Sequence, residues 1–234
     1  MKIKFYAWES NQNNALLPPK PAVSALPEWY KTKKPLQDAD KKFRFAPDGS
    51  KNTTVKWCNP FGDALGAGYF IFLENDLQVN NDNGVQSLSW LRGGKDYVGQ
   101  HSLGQISDQL IPKNYSEQPW KFTNYWGIET PTGYSTLFVH PLNRPELPFI
   151  VLSGVVDTDS YRKPVHFPFL LRKDFEGIIE SGTPIAQVIP FKRESWESEI
   201  VDYDPKKVVE IGSPSNRKIF RVYKNLHWKR KEYK

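Results

Sequence analysis

Two carboxylates one residue apart, Asp157 and Asp159, are the side chains of this 234-residue chain whose spacing most directly suggests chemistry. Such a pair can act as a general base or hold Mg²⁺ through oxygen donors. The same spacing also fits a turn after a buried strand, where Asp accepts backbone N–H groups. Gly182-Thr183-Pro184-Ile185-Ala186-Gln187 reads either as a ligand loop or as a tight lead into an apolar strand. Arg144, Arg162, Lys163, Arg172 and Lys173 would grip a phosphate if strands bring them together, and are solvated surface charge otherwise. Trp57, Trp120, Trp126 and Trp196 could stack on a base or sugar, or fill a core or subunit interface.

Other chemistries have less to work with. Cys58 is the only cysteine, which rules out an internal disulfide and a thiolate metal cluster and points to a reducing compartment. The four histidines (101, 140, 166, 227) stand far apart with no metal-binding spacing, so no metal site is assigned to them. No apolar run approaches the roughly 20 residues that a spanning helix needs. Lys2 to Ala7 reads as a strand rather than a secretory leader, and the expectation is a cytoplasmic protein without membrane contact.

Positioning these residues requires a packed body, and aromatics at 14% supply the groups to build one. Short apolar runs bounded by Gly, Pro, Asn and Asp predict strands at Thr54–Trp57, Tyr69–Leu73, Trp126–Glu129, Tyr134–Val139, Phe149–Val156, His166–Leu171 and Ile185–Ile189. Turn signals fall at 80–84, 130–133, 143–145 and 181–183. The pattern is all-β, with three segments. Residues 1–50 are a Pro-rich, basic arm, with one helical turn near Glu28-Trp29-Tyr30-Lys31 and its aromatic rings laid on the body. Residues 51–204 form the β-rich core domain, in which 91–120 read as a long excursion. Residues 205–234 are a basic segment predicted to be helical. Ile219, Val222, Tyr223 and Leu226 share a helical face there, and the last few residues fray.

Charge follows the same division. The formal net charge of +6 separates into +6 over residues 1–60, −8 over 61–204 and +8 over 205–234. Anionic partners are therefore expected at the two ends and not at the body.

Four blocks in order resemble the dUTPase and dCTP deaminase superfamily. Gly62-Asp63-Ala64-Leu65-Gly66-Ala67-Gly68-Tyr69-Phe70-Ile71 is similar to the first motif, and Pro131-Thr132-Gly133-Tyr134-Ser135 sits where the phosphate-contacting second motif would lie. Gly154-Val155-Val156-Asp157-Thr158-Asp159-Ser160-Tyr161 resembles the third, and Gly182 to Ile189 the fourth. The layout also resembles proteins of phages and marine bacteria. The resemblance implies a β-clip or distorted jelly-roll core and a homotrimer, in the host cytoplasm if the chain is viral. In active members it implies a nucleotide site built between subunits with Mg²⁺ on the triphosphate. Carried over, Asp157 would orient the attacking water and Tyr161 would pack on the sugar. Ser135, Gln187 and Asp159 would be ligand-binding residues, with Gln187 on phosphate.

The blocks also depart from that pattern. The second lacks its Arg, and the third carries one extra residue before Tyr161, which on a strand would turn the ring to the opposite face. A Gly-rich C-terminal arm is replaced by the basic segment, and Val165 to Phe169 lacks the Glu of the deaminases. Three functions therefore fit the sequence. The first is a non-catalytic scaffold or interaction protein that forms homo-oligomers. The second is a nucleotide-binding or nucleoside-triphosphate pyrophosphatase protein. The third is nucleic-acid binding through the basic C-terminus.

Overall fold

The fold was analysed from a computed structural model, which describes residues 1–8, 16–37, 52–91, 98–202, 204 and 223–234. The chain forms two compact units. One comprises residues 1–32, 64–193 and 233–234, and the other residues 33–63 and 194–232.

The first unit is built from antiparallel strands, as the short period-2 segments require. β1 (Lys4–Ala7) and β2 (Lys20–Pro21) precede the fully buried β3 (Tyr69–Phe72). β4 (Leu77–Asp82) and β5 (Val85–Trp90) form a hairpin, followed by β6 (Val98–Gln100), β7 (Trp120–Phe122) and β8 (Trp126–Glu129). Then come β9 (Tyr134–Val139), β10 (Phe149–Val151), β11 (Gly154–Val156), β12 (Phe167–Leu171), β13 (Gly177–Ile179) and β14 (Pro184–Lys192). They assemble as a five-stranded sheet β11-β9-β14-β3-β2, a four-stranded sheet β10-β12-β7-β6, a three-stranded sheet β13-β4-β5, and the pair β1-β8. The inward faces of these sheets share one core. Phe122 and Phe169 stack with ring centroids 3.7 Å apart, and Phe149 meets both edge-on.

Several boundaries differ from the sequence reading. The apolar run 149–156 breaks at Leu152-Ser153, so β10 pairs with β12 while β11 crosses to β9 in another sheet. In place of the expected strand Thr54–Trp57, Val55–Trp57 is a 3₁₀ turn, because the Thr54 hydroxyl accepts the Lys56 N–H and caps it. Of the predicted turn at 80–84, only Asn83-Gly84 turns, with φ of 52° and 89°; the residues before it belong to β4. Described residues of the 91–120 excursion contribute β6, β7 and two 3₁₀ turns.

The arm is tied to the first unit residue by residue. A short helix, α1 (Glu28–Thr32), occupies the expected helical turn and buries Tyr30. The Leu17 N–H donates to Glu74 at 2.7 Å, the Trp126 indole donates to the Leu17 carbonyl at 3.1 Å, and the Trp29 indole donates to Glu146 at 3.0 Å. Pro21 is tolerated in β2 because that strand lies at a sheet edge.

In the second unit, Leu36 bridges to Thr53, and α2 (Asn59–Leu65) runs from it into the first motif block. Ile219 and Val222 of the predicted helical stripe lie outside the described residues. Tyr223–His227 is a single π-type turn with Tyr223 and Leu226 exposed. The chain end does not fray as expected. The Trp228 indole and Lys231 both donate to Asp63, at 2.8 and 2.7 Å, within the second unit. In the first unit, the Tyr69 hydroxyl donates to the Lys234 carbonyl at 3.2 Å, and Tyr233 packs edge-on against the Tyr69 ring. Two aromatic anchors hold what sequence position alone would leave loose. No helix among the described residues is long and apolar enough to cross a membrane.

Candidate functional site

Three strand ends in the five-stranded sheet converge on one cluster. Val156, the last residue of β11, lies opposite Thr136 of β9, and Phe191 and Lys192 of β14 lie opposite Ser135 and Tyr134. Pairing continues one step past β14, where the Arg193 N–H donates to the Gly133 carbonyl at 2.8 Å. Gly133 has φ of 84°, a left-handed conformation that favours glycine, and it turns the chain from Pro131 into β9. The second and third motif blocks therefore meet at the start of β9, beside the end of β14.

The turn after β11 supplies the carboxylates. Asp157 heads it, its carbonyl accepting the N–H groups of Ser160 and Tyr161 at 3.1 and 2.8 Å. Its side chain accepts the Ser135 hydroxyl at 2.6 Å. Asp159 accepts the Gly133 N–H at 2.9 Å. Between the carboxylates lies Arg193. Its Nη1 donates to Ser135 Oγ at 3.1 Å, to Asp157 Oδ1 at 3.2 Å and to Asp159 Oδ1 at 3.0 Å, while Nη2 makes a short charge-assisted bond to Asp159 Oδ2. Beneath them, Thr158 Oγ1 bonds Thr130 Oγ1 and Thr136 Oγ1, each at 2.7 Å, and all three threonines are buried. This network fixes the turn that carries both Asp residues.

Electrostatics separate the two carboxylates. The Arg193 guanidinium, with help from the Gly133 N–H, holds the Asp159 carboxyl down at about 2. The hydrogen bond to Asp159 correspondingly raises Arg193 above its ordinary value. The Asp159 side chain is 10% exposed, against 61% for Asp157. Asp157 therefore faces solvent on one side and Ser135 on the other. The arrangement can orient a hydroxyl or a water on Asp157, with the cation of Arg193 at 3.2 Å. Its two carboxylates already share one guanidinium, and this donor set does not suit a resident Mg²⁺. Among the described residues, no three His, Cys, Asp or Glu side chains gather as a metal site.

The structure thus brings Ser135, Asp157 and Asp159 together. Tyr161 follows on the same turn, its ring half exposed. Because residues 158–160 form a turn rather than a strand, the period-2 argument about which face its ring takes does not apply. Gln187 lies elsewhere. It is opposite Val139, four residues along β14 from Phe191, or about 13 Å at strand spacing. It is 0% exposed. Its amide nitrogen donates to the Ala64 and Ala67 carbonyls at 2.9 and 2.7 Å, and its oxygen accepts the Leu142 N–H at 2.8 Å. The side chain pins the first motif block to β14 and to the loop after β9.

The basic residues do not meet either. Arg144 pairs with Glu146, Arg162 with Glu129 at 3.3 Å, and Arg172 with Asp174 at 3.1 Å. Trp120 and Trp126 pack against the core, while Trp196 stands in solvent. Arg193 is the residue that sequence reading missed. The second block lacks an Arg in sequence, and the guanidinium beside Ser135 comes in space from the end of β14. The available signal was the continuation Pro190-Phe191-Lys192-Arg193 after the fourth block, which extends that strand to the cluster.

No family model matches the chain, and no curated protein is similar to it. Among solved structures, it resembles the EIAV dUTPase at 10% identity and a TM-score of 0.33, covering 58% of this chain and 83% of that one. A mutant dUTPase of phage phi11 of S. aureus is similar at 12% identity and a TM-score of 0.30, covering 58% and 84%. A mutant dUTPase of Staphylococcus bacteriophage 80alpha is similar at 11% identity and a TM-score of 0.34, covering 87% and 90%. These resemblances are distant.

Proposed function

We propose that this all-β chain is a non-catalytic scaffold or interaction protein that assembles with copies of itself in the cytoplasm. The observation that carries the reading is Arg193, whose side chain lies across Ser135, Asp157 and Asp159 and joins both carboxylates. A pyrophosphatase needs cationic groups turned toward a triphosphate and a carboxylate ready for water. Here the cation is neutralised internally, and Gln187 is bonded to three backbone groups of the fold. The division into an acidic body and basic ends supplies the means of association.

Light scattering tests the reading at about 20 and 500 mM salt, between which the screening length falls from roughly 20 Å to roughly 4 Å. The expected result is an oligomer at low salt that loosens at high salt. A monomer at both would overturn it.

A second reading, nucleotide binding at the same cluster, is favoured by the meeting of the second and third blocks at Ser135 and Asp157. It requires Arg193 to leave Asp159 and turn to phosphate. A thermal shift with nucleoside triphosphates that Arg193→Ala removes would support it. The absence of any shift would exclude it.

A further inference from the structure

Among the described residues, the segment that leaves β14 exposes several large apolar side chains in succession. Residues 194–202 carry no helix or strand, and every one of them is exposed. Trp196 is 87% exposed, Ile200 102% and Val201 70%. Three large apolar side chains standing clear of their own fold mark an interaction surface rather than ordinary scatter. Glu197 and Glu199 lie between them and Asp202 follows, and residues 194–204 contain five acidic side chains and no basic one.

The same unit presents a complementary surface. Residues 223–232 carry Lys224, Lys229, Arg230 and Lys231 against a single Glu232, which pairs with Arg230 at 3.2 Å. The π-type turn leaves Tyr223 and Leu226 exposed beside those cations. This surface is held in place beforehand. The Trp228 N–H donates to the Tyr223 carbonyl at 2.7 Å, and the Trp228 indole and Lys231 are both bonded to Asp63. A preformed basic platform meets its partner with less ordering cost than a loose one.

We propose that residues 194–202 of one copy seat on residues 223–231 of a second copy. This rests on the self-association proposed above and names the surfaces that would carry it. In one copy the acidic segment stays uncovered by the basic one, since Trp196 and Ile200 remain in solvent. Because each copy carries both surfaces, two copies can exchange the contact reciprocally about a two-fold axis. Fully extended, these nine residues would span at most about 30 Å. Each contact buries a Trp of about 200 Å² together with Ile200, Val201 and the surface opposite. Two such contacts reach the roughly 1,200 Å² of a specific interface.

Charge reversal with mixing provides the test. The full chain is prepared as Glu197→Lys/Glu199→Lys and, separately, as Lys229→Glu/Arg230→Glu. All four positions are exposed, so thermal midpoints should match the wild type. Each variant alone should dimerise at least about tenfold more weakly in sedimentation equilibrium at low salt. Their equimolar mixture should recover a mixed dimer, because opposite charges then face each other across both contacts. Trp196→Ala should weaken wild-type association without altering its sign of salt dependence. An oligomeric wild type that both reversals leave unchanged would overturn this pairing and leave self-association standing. So would recovery only when all four changes share one chain, which would place the contact within a copy. A monomeric wild type would overturn the self-association reading as well.

Discussion

Replacing Gln187 with Leu separates a structural role from a ligand-binding one. The amide is wholly buried and satisfies two carbonyls and one N–H, from Ala64, Ala67 and Leu142. A leucine of similar volume leaves the Ala67 carbonyl and the Leu142 N–H without that partner, while the Ala64 carbonyl keeps the Ala67 N–H at 3.4 Å. Each buried orphan costs about 1–3 kcal/mol, while the added apolar surface returns about 1 kcal/mol. The expected net loss is therefore about 1–5 kcal/mol, a large part of a stability of order 5–15 kcal/mol. Urea denaturation followed by tryptophan fluorescence reads this as a midpoint lowered by about 0.5–2 M. A loss below about 1 kcal/mol would refute the reasoning. So would unchanged stability combined with weakened binding of a nucleoside triphosphate, because the amide would then be serving phosphate.

Gly68→Ala should also destabilise the fold. Gly68 has φ of 65°, and a Cβ there would lie 2.0 Å from the Val188 carbonyl oxygen. Left-handed backbone and forced displacement of β14 together cost about 2–5 kcal/mol, and a urea midpoint equal to the wild type would contradict this. Burial pushes Glu74 up to about 6, against the pull of the Leu17 N–H. Its contribution to stability is thus full below about pH 4.5 and is lost as pH rises through 6. For this half-buried group the effect is about 1 kcal/mol after allowance for water. Glu74→Gln should flatten stability across that window, and an unchanged profile would count against the burial argument. Asp159, held at about 2 by Arg193, contributes stability above its ordinary 3.8 that is lost as pH falls toward 2. Asp159→Asn should remove that acid limb from a stability–pH curve, and a curve matching the wild type would show that the pair contributes nothing.

The sequence carried the local parts of this fold well. β8 and β9 lie where apolar alternation and the Pro131-Thr132-Gly133 turn place them, because period and turn chemistry are properties of neighbouring residues. The Asp157 turn was legible for the same reason. The 149–156 run was not, since nothing local distinguishes one strand from two strands that change sheet at Leu152-Ser153. The family resemblance implied a phosphate contact for Gln187, yet its partners are backbone groups 45 to 123 residues away. Arg193 likewise reaches Asp159 and Ser135 across 34 and 58 residues. Such contacts are set by strand order, which spacing along the chain does not encode. Net charge showed where the cations are, but not that Arg144, Arg162 and Arg172 each have a local acid.

Pyrophosphate release from a panel of nucleoside triphosphates with Mg²⁺ tests most directly whether the cluster under Arg193 is closed to catalysis. The wild type and Asp157→Asn are compared at the same concentration. Closure by Arg193 predicts no turnover above the uncatalysed rate from either protein. Turnover by the wild type that Asp157→Asn abolishes would contradict it and make Ser135, Asp157 and Arg193 an active site.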